Sequence, residues 1–143
     1  MTGPGDATQT VDAETLRYLS RILGRQREVQ ETSLLPANRQ ESLVVVLGDE
    51  YYPEAVDEAR LEVRAYTNGD FHVSSVESYL GERQRCRWDR HDQDHHSREH
   101  FHPFPDAGTS DAEDRDFPTD LTAVLERVVV PWVETRLGEI WEE

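Results

Sequence analysis

Residues 87–105 read Arg-Trp-Asp-Arg-His-Asp-Gln-Asp-His-His-Ser-Arg-Glu-His-Phe-His-Pro-Phe-Pro and hold five of the chain's six histidines with three of its thirteen aspartates. Imidazole titrates near neutrality, so it can move a proton there or bind a metal as a neutral ligand. A solvated loop has no need of five such rings. Pro103 and Pro105 drive the residues before them toward extended backbone. Alternate side chains of an extended segment share a face. His100, His102 and Phe104 then point one way, Phe101 and Pro103 the other. Asp89 and His91 are likewise two apart, and a carboxylate bound to one ring nitrogen fixes which nitrogen carries the proton.

Three kinds of chemistry fit these residues. In the first, His100 and His102, helped by Asp89 and His91, act as general base and acid on a ribose 2′-hydroxyl and a leaving 5′-oxygen, while arginines hold the phosphate. This cleavage needs no cofactor, only a 2′-hydroxyl beside a phosphodiester. In the second, His100 and His102 with His91, His95, His96 or Asp89 bind a divalent metal such as zinc, though the spacing matches no standard ligand signature. In the third, the segment is a polar surface loop that packs Phe101 and Phe104 on the core.

The elements that must position this stretch lie on both sides of it. Asp12 is placed to cap a helix, with Glu14 in its first turn. Leu16, Leu19, Ile22 and Leu23 continue at helical spacing to about Val29. Arg17, Arg21, Arg25 and Arg27 fall near its polar side, either as a solvated face or as a basic edge. Residues 34–40 read as a linker. Leu43 to Leu47 is a continuous apolar run that suits a buried strand, and Arg60 to Tyr66 alternates. Asn68-Gly69 predicts a two-residue hairpin turn. Ala65 then pairs with His72 and Val63 with Ser74, which places His72 on the apolar face, more often the place of a satisfied core residue than of a ligand. A three-residue loop at Leu80-Gly81-Glu82 would bury Cys86 and Trp88. It would send Arg83, Arg85 and Arg87 to the opposite face with Arg64 and Glu62, since solvating arginines costs far less than burying them. A helix opens at Pro118-Thr119-Asp120 and runs to the end, with a kink expected at Pro131. Its apolar residues, from Leu121 through Trp132 to Trp141, pack on the sheet or form a dimer or partner interface.

The expected fold is α+β: a small antiparallel meander of three or four strands, flanked by an N-terminal helix and a long C-terminal helix. Residues 1–10 read as a disordered tail and 11–143 as a single domain. The chain carries −15 formal charge, with 30 acidic residues against 15 basic ones, all of them arginine. That pattern resembles an acidic surface adapted to salt, against which a local run of arginines stands out. One cysteine excludes an intramolecular disulfide framework. No apolar run is long enough to span a membrane. The expected location is the cytoplasm.

Arg87-Trp88-Asp89 at the end of an arginine-rich strand, followed within about a dozen residues by His100-Phe101-His102-Pro103, resembles the TumE family of toxins from type II toxin–antitoxin modules. The resemblance covers roughly Arg60 to Trp141. It departs at Arg90, where the family usually has Asn. It implies a ribonuclease that restrains growth, with Arg87, Trp88, Asp89, His100 and His102 as the matched positions. It further implies RNA as substrate and a helix-turn-helix antitoxin as partner. The three positions Arg83, Arg85 and Arg87 are expected to form the RNA-binding face, with His100 and His102 converging on it in an open pocket.

Overall fold

The computed structural model describes residues 10–91 and 99–142. Among these, seven strands form one antiparallel sheet in chain order. They are β1 (Val29–Leu35), β2 (Ser42–Leu47), β3 (Val56–Ala65), β4 (Phe71–Tyr79), β5 (Glu82–Arg90), β6 (Glu99–His102) and β7 (Glu113–Asp114). Helix α1 (Ala13–Leu23) precedes the sheet. After it come α2 (Leu121–Val124), a π-helical turn (Leu125–Val129) and α3 (Val130–Glu142). The α+β class, the meander and the flanking helices agree with the sequence; the strand number does not. The expected tail falls largely on residues 1–9, outside the described residues, while the Thr10 carbonyl accepts from Thr67 N–H.

Helix α1 is capped as its sequence predicts, with Asp12 Oδ1 accepting from Thr15 N–H at 3.1 Å. It stops at Leu23 instead of running on to Val29, because Gly24 ends it and Val29 begins an edge strand. Three strands leave no clear mark in the sequence, for different reasons. Edge strand β1 has no clean alternation, since only one of its sides is paired. Strands β6 and β7 are four and two residues long, too short for a periodicity to show. The extended backbone of β6 follows from Pro103; its pairing with β5 does not.

Helices α1 to α3 cover one face of the sheet. Leu16 and Leu19 of α1, Val129 of the π-helical turn and Val133 of α3 share one buried core with Leu43, Val45, Leu61, Val63, Phe71, Val73 and Trp88 of the sheet. Each such Leu or Val, fully buried, stabilises the fold by about 1.5–3 kcal/mol before entropy is counted. Trp132 packs edge-on against Trp88 and Phe104 with ring centroids 5.4 Å apart in each pair. A buried ion pair fastens α3 to the sheet: Arg136 Nη2 donates to Glu77 Oε1 at 2.7 Å. Pro131 leaves the helix continuous. Its missing N–H is accommodated by the π-helical turn just before it.

Both hairpin registers differ from expectation by one residue. Asn68 does not enter the left-handed region; only Gly69 does, at φ 92°. The Asn68 side chain instead accepts Asp70 N–H at 3.0 Å, and Tyr66 pairs with Asp70 around a three-residue loop. The next turn has two residues, Leu80 and Gly81, with φ 53° and 81°. Positive φ at both positions is what a type I′ turn requires. A slip of one residue inverts a strand. Two slips restore β5, so Cys86 and Trp88 are buried and the arginines face away, as expected. Strand β4 suffers only the first slip. Val73 pairs with Val63 and faces the core, and His72 pairs with Arg64 on the opposite, arginine-bearing face.

Candidate active site

The uncovered face of the sheet is built from two adjacent rows of paired positions. One runs Arg64, His72, Asp89, His100, Asp114 across β3 to β7; the other runs Glu62, Ser74, Arg87, His102 across β3 to β6. Imidazole, carboxylate and guanidinium therefore alternate along and across neighbouring strands because the register places them there. A cavity of about 400 Å³ opens on this face, lined by Glu62, Arg64, His72, Ser74, Arg85, Arg87, Asp89 and His91.

Asp89 is the centre. It is 1% exposed. Its Oδ1 accepts from His72 Nδ1 at 2.7 Å, and its Oδ2 accepts from Arg87 Nε at 2.7 Å. Burial pushes its carboxyl pKa up. The hydrogen bonds from His72 and Arg87, with their charges, outweigh that, and the carboxyl is held below the usual carboxylate range. His102 Nε2 lies 2.9 Å from Oδ2, an ion-pair distance, yet the direction does not suit a hydrogen bond and this buried nitrogen has no such partner among the described residues. The other His102 nitrogen, Nδ1, is 3.3 Å from the Gly108 carbonyl. A carbonyl only accepts, so this nitrogen is the donor there. Four rings form a chain around the carboxylate. Centroids are 5.9 Å apart for His72–His91, 6.2 Å for His91–His100 and 6.1 Å for His100–His102.

The arginines divide into spent and unspent. Arg83 and Arg85 face Glu58 and Glu62 at 3.8 and 3.4 Å, and Arg60 is paired with both glutamates. Arg83 lies outside the cavity. Arg64 is exposed and makes no ion pair among the described residues, so its guanidinium is available to an anion. A larger concavity, about 630 Å³, lies beyond Arg90. Among the described residues no imidazole lines it, and Arg90 is consumed there: it donates to Glu99 Oε2 at 2.6 Å and to the carbonyls of Thr119 and Pro118. Arg90 thus ties β5 to the segment leading into α2.

His100 and His102 share the face with the arginines, as the alternation of an extended segment requires, but they do not line an open pocket. They are 8% and 5% exposed. Backbone at Gly108 closes over His102, and Asp114 of β7 lies 3.4 Å from His100 Nε2. Among the described residues the rings that reach the cavity are His91 and His72. The expected hairpin register misplaces His72, and the signal that could have found it is Asp70: its N–H satisfies Asn68 and lengthens the loop. Among the described residues no three of His, Cys, Asp and Glu gather as a metal-holding group; His95 and His96 lie outside them. No helix among the described residues is long and apolar enough to cross a membrane. Neither a curated protein nor a solved structure matches the chain. A family model described as Toxin TumE matches residues 18–137.

Proposed function

The chain belongs to the TumE toxin family, and from that premise we propose that it restrains growth by cleaving RNA without a metal. The observation that supports this reading most is the buried, ionised Asp89 with imidazoles and a guanidinium gathered on it at the wall of an open, arginine-lined cavity. Such a carboxylate orients a neighbouring ring and stabilises it when it takes up a proton. Arg64 and Arg87 supply phosphate contacts, and they stabilise charge as it develops on the phosphorus oxygens. The overall charge of −15 disfavours sequence-independent binding to nucleic acid. The substrate is therefore held locally, at the cavity, instead of along a broad basic surface. RNA places the protein in the cytoplasm, and a helix-turn-helix antitoxin is the partner that the module type supplies.

The test is incubation of the purified chain with RNA, with and without EDTA, beside expression in a host whose growth is followed. Cleavage that survives EDTA, with growth arrest, is expected. RNA left intact, with normal growth, rejects the reading; cleavage abolished by EDTA favours a divalent-metal site instead.

A further inference from the structure

We propose that His72 and His91 are the proton-transferring pair of this site and that His102 is a positioning residue for Asp89. The inference deepens the RNA-cleavage reading and rests on it.

The tautomer of His72 follows from its partner. A carboxylate only accepts. The His72 nitrogen 2.7 Å from Asp89 Oδ1 therefore carries the proton. In the neutral ring the lone pair is then on Nε2. The His72 side chain is one-third exposed and lines the cavity, so this nitrogen belongs to a ring that a substrate can reach. His91 lines the same cavity with its ring centroid 5.9 Å from that of His72. Two rings at this spacing can flank one phosphate, one near the attacking oxygen and one near the leaving oxygen. Arg64 is opposite His72 in the β3–β4 pairing and faces the same cavity. It can meet the phosphate charge without first giving up a described ion pair.

The buried rings are differently engaged. Gly108 O occupies His102 Nδ1, and His102 Nε2 lies 2.9 Å from Asp89 Oδ2, the oxygen that His72 does not bind. That second contact is attractive only when the ring is doubly protonated, in which state it adds positive charge beside Asp89. His100 is held against Asp114. Neither ring lines the cavity, so neither is a catalytic residue in this assignment.

The step balances as follows. His72 Nε2 takes the proton of a ribose 2′-hydroxyl. The 2′-oxygen attacks phosphorus, and a bond forms between them. The bond from phosphorus to the 5′-oxygen breaks, and the leaving oxygen takes a proton from the His91 imidazolium. The products are a 2′,3′-cyclic phosphate and a 5′-hydroxyl end, and no co-reactant is consumed. The substrate class is single-stranded RNA, whose sugar can rotate to bring the 2′-oxygen in line.

The assay uses the full chain and a labelled pool of random-sequence oligoribonucleotides, with the 2′-deoxy pool as control. His72→Asn is the decisive variant. Its amide N–H replaces the donor to Asp89 and removes the acceptor, so a purely structural role survives it. Expected for His72→Asn is a kcat loss of about 10²–10⁴-fold, as for removal of a general base. KM should stay within about threefold and the acidic limb of the pH profile should disappear. His91→Ala should remove the alkaline limb. His102→Asn should keep both limbs. A parent that leaves cyclic phosphate ends, beside a His72→Asn enzyme of parental rate and profile, overturns the assignment while RNA cleavage stands. Ends bearing 5′-phosphate overturn it as well. RNA untouched by the parent removes both the assignment and the reading beneath it.

Discussion

Replacing Asp89 with alanine should cost stability in a way that depends on pH. The carboxylate is 1% exposed and faces three cations or potential cations. Removing one partner of a fully buried charge pair typically costs about 3–5 kcal/mol. Here that figure is too high. The His72 and Arg87 side chains are 33% and 32% exposed and can rehydrate when their acceptor is lost. Such part-exposed pairs contribute closer to ~1 kcal/mol or less. His102 is 6% exposed and cannot rehydrate. The expected loss near pH 6 is about 2–3 kcal/mol, or a fall of about 6–9 °C in Tm at roughly 3 °C per kcal/mol for a chain of this size. The folded-state pKa of Asp89 lies below its unfolded value. Its contribution is therefore complete above the unfolded value, about 3.9, and disappears as pH falls through the lower folded value. Urea melts of parent and Asp89→Ala from pH 6 down to pH 3 measure this. A loss under about 1 kcal/mol at pH 6, or an equal loss at both ends of the range, would refute the reasoning.

Other outcomes follow from single contacts. Arg64→Ala should weaken binding of a short oligoribonucleotide by about 10–100-fold, the worth of one charge-assisted hydrogen bond. Arg83→Ala, outside the cavity and already facing Glu58, should change it less than about threefold; fluorescence anisotropy in parallel titrations separates them. Leu80 sits 71% exposed at φ 53°. Leu80→Asn should therefore raise stability by about 0.5–1 kcal/mol, read as a higher urea midpoint with unchanged slope. Burial pushes the Cys86 thiol up to about 12. Ellman's reagent at pH 8 should leave the native protein unmodified and label it fully in denaturant.

The sequence exposed the site's ingredients better than their arrangement. Arg87-Trp88-Asp89 and the extension of residues 100–102 were legible because alternation and the prolines act locally. The face of β5 was legible too, although each hairpin loop differs from its expected length, since burying a tryptophan and solvating three arginines fixes the outcome whatever the turns do. His72 was not legible. Its face depended on whether Asn68 would take a left-handed backbone or bond Asp70, a choice of one hydrogen bond. The covering of His100 and His102 was equally hidden, because it comes from Gly108 and Asp114, residues with no apolar pattern to announce that they fold back. The edge strand β1 was lost because its residues show no clean alternation and its end, Leu34 and Leu35, reads as the start of a linker.

The π-helical turn has a further consequence for how the last helix is phased. A regular α-helix advances about 100° per residue, and the apolar stripe starting at Leu121, Val124 and Leu125 would carry on through Val128 and Trp132. The chain buries Val129 and Val133 most deeply, with Val128 and Trp132 only partly buried against the core. One supernumerary residue has been absorbed as a widened turn, so everything beyond it is rotated by a single step. A relative one residue shorter between Leu125 and Val129, and without proline at the equivalent of position 131, could seat the same side chains on an unbroken α-helix. Comparing such chains by ungapped pattern would put the wrong half of the helix against the sheet.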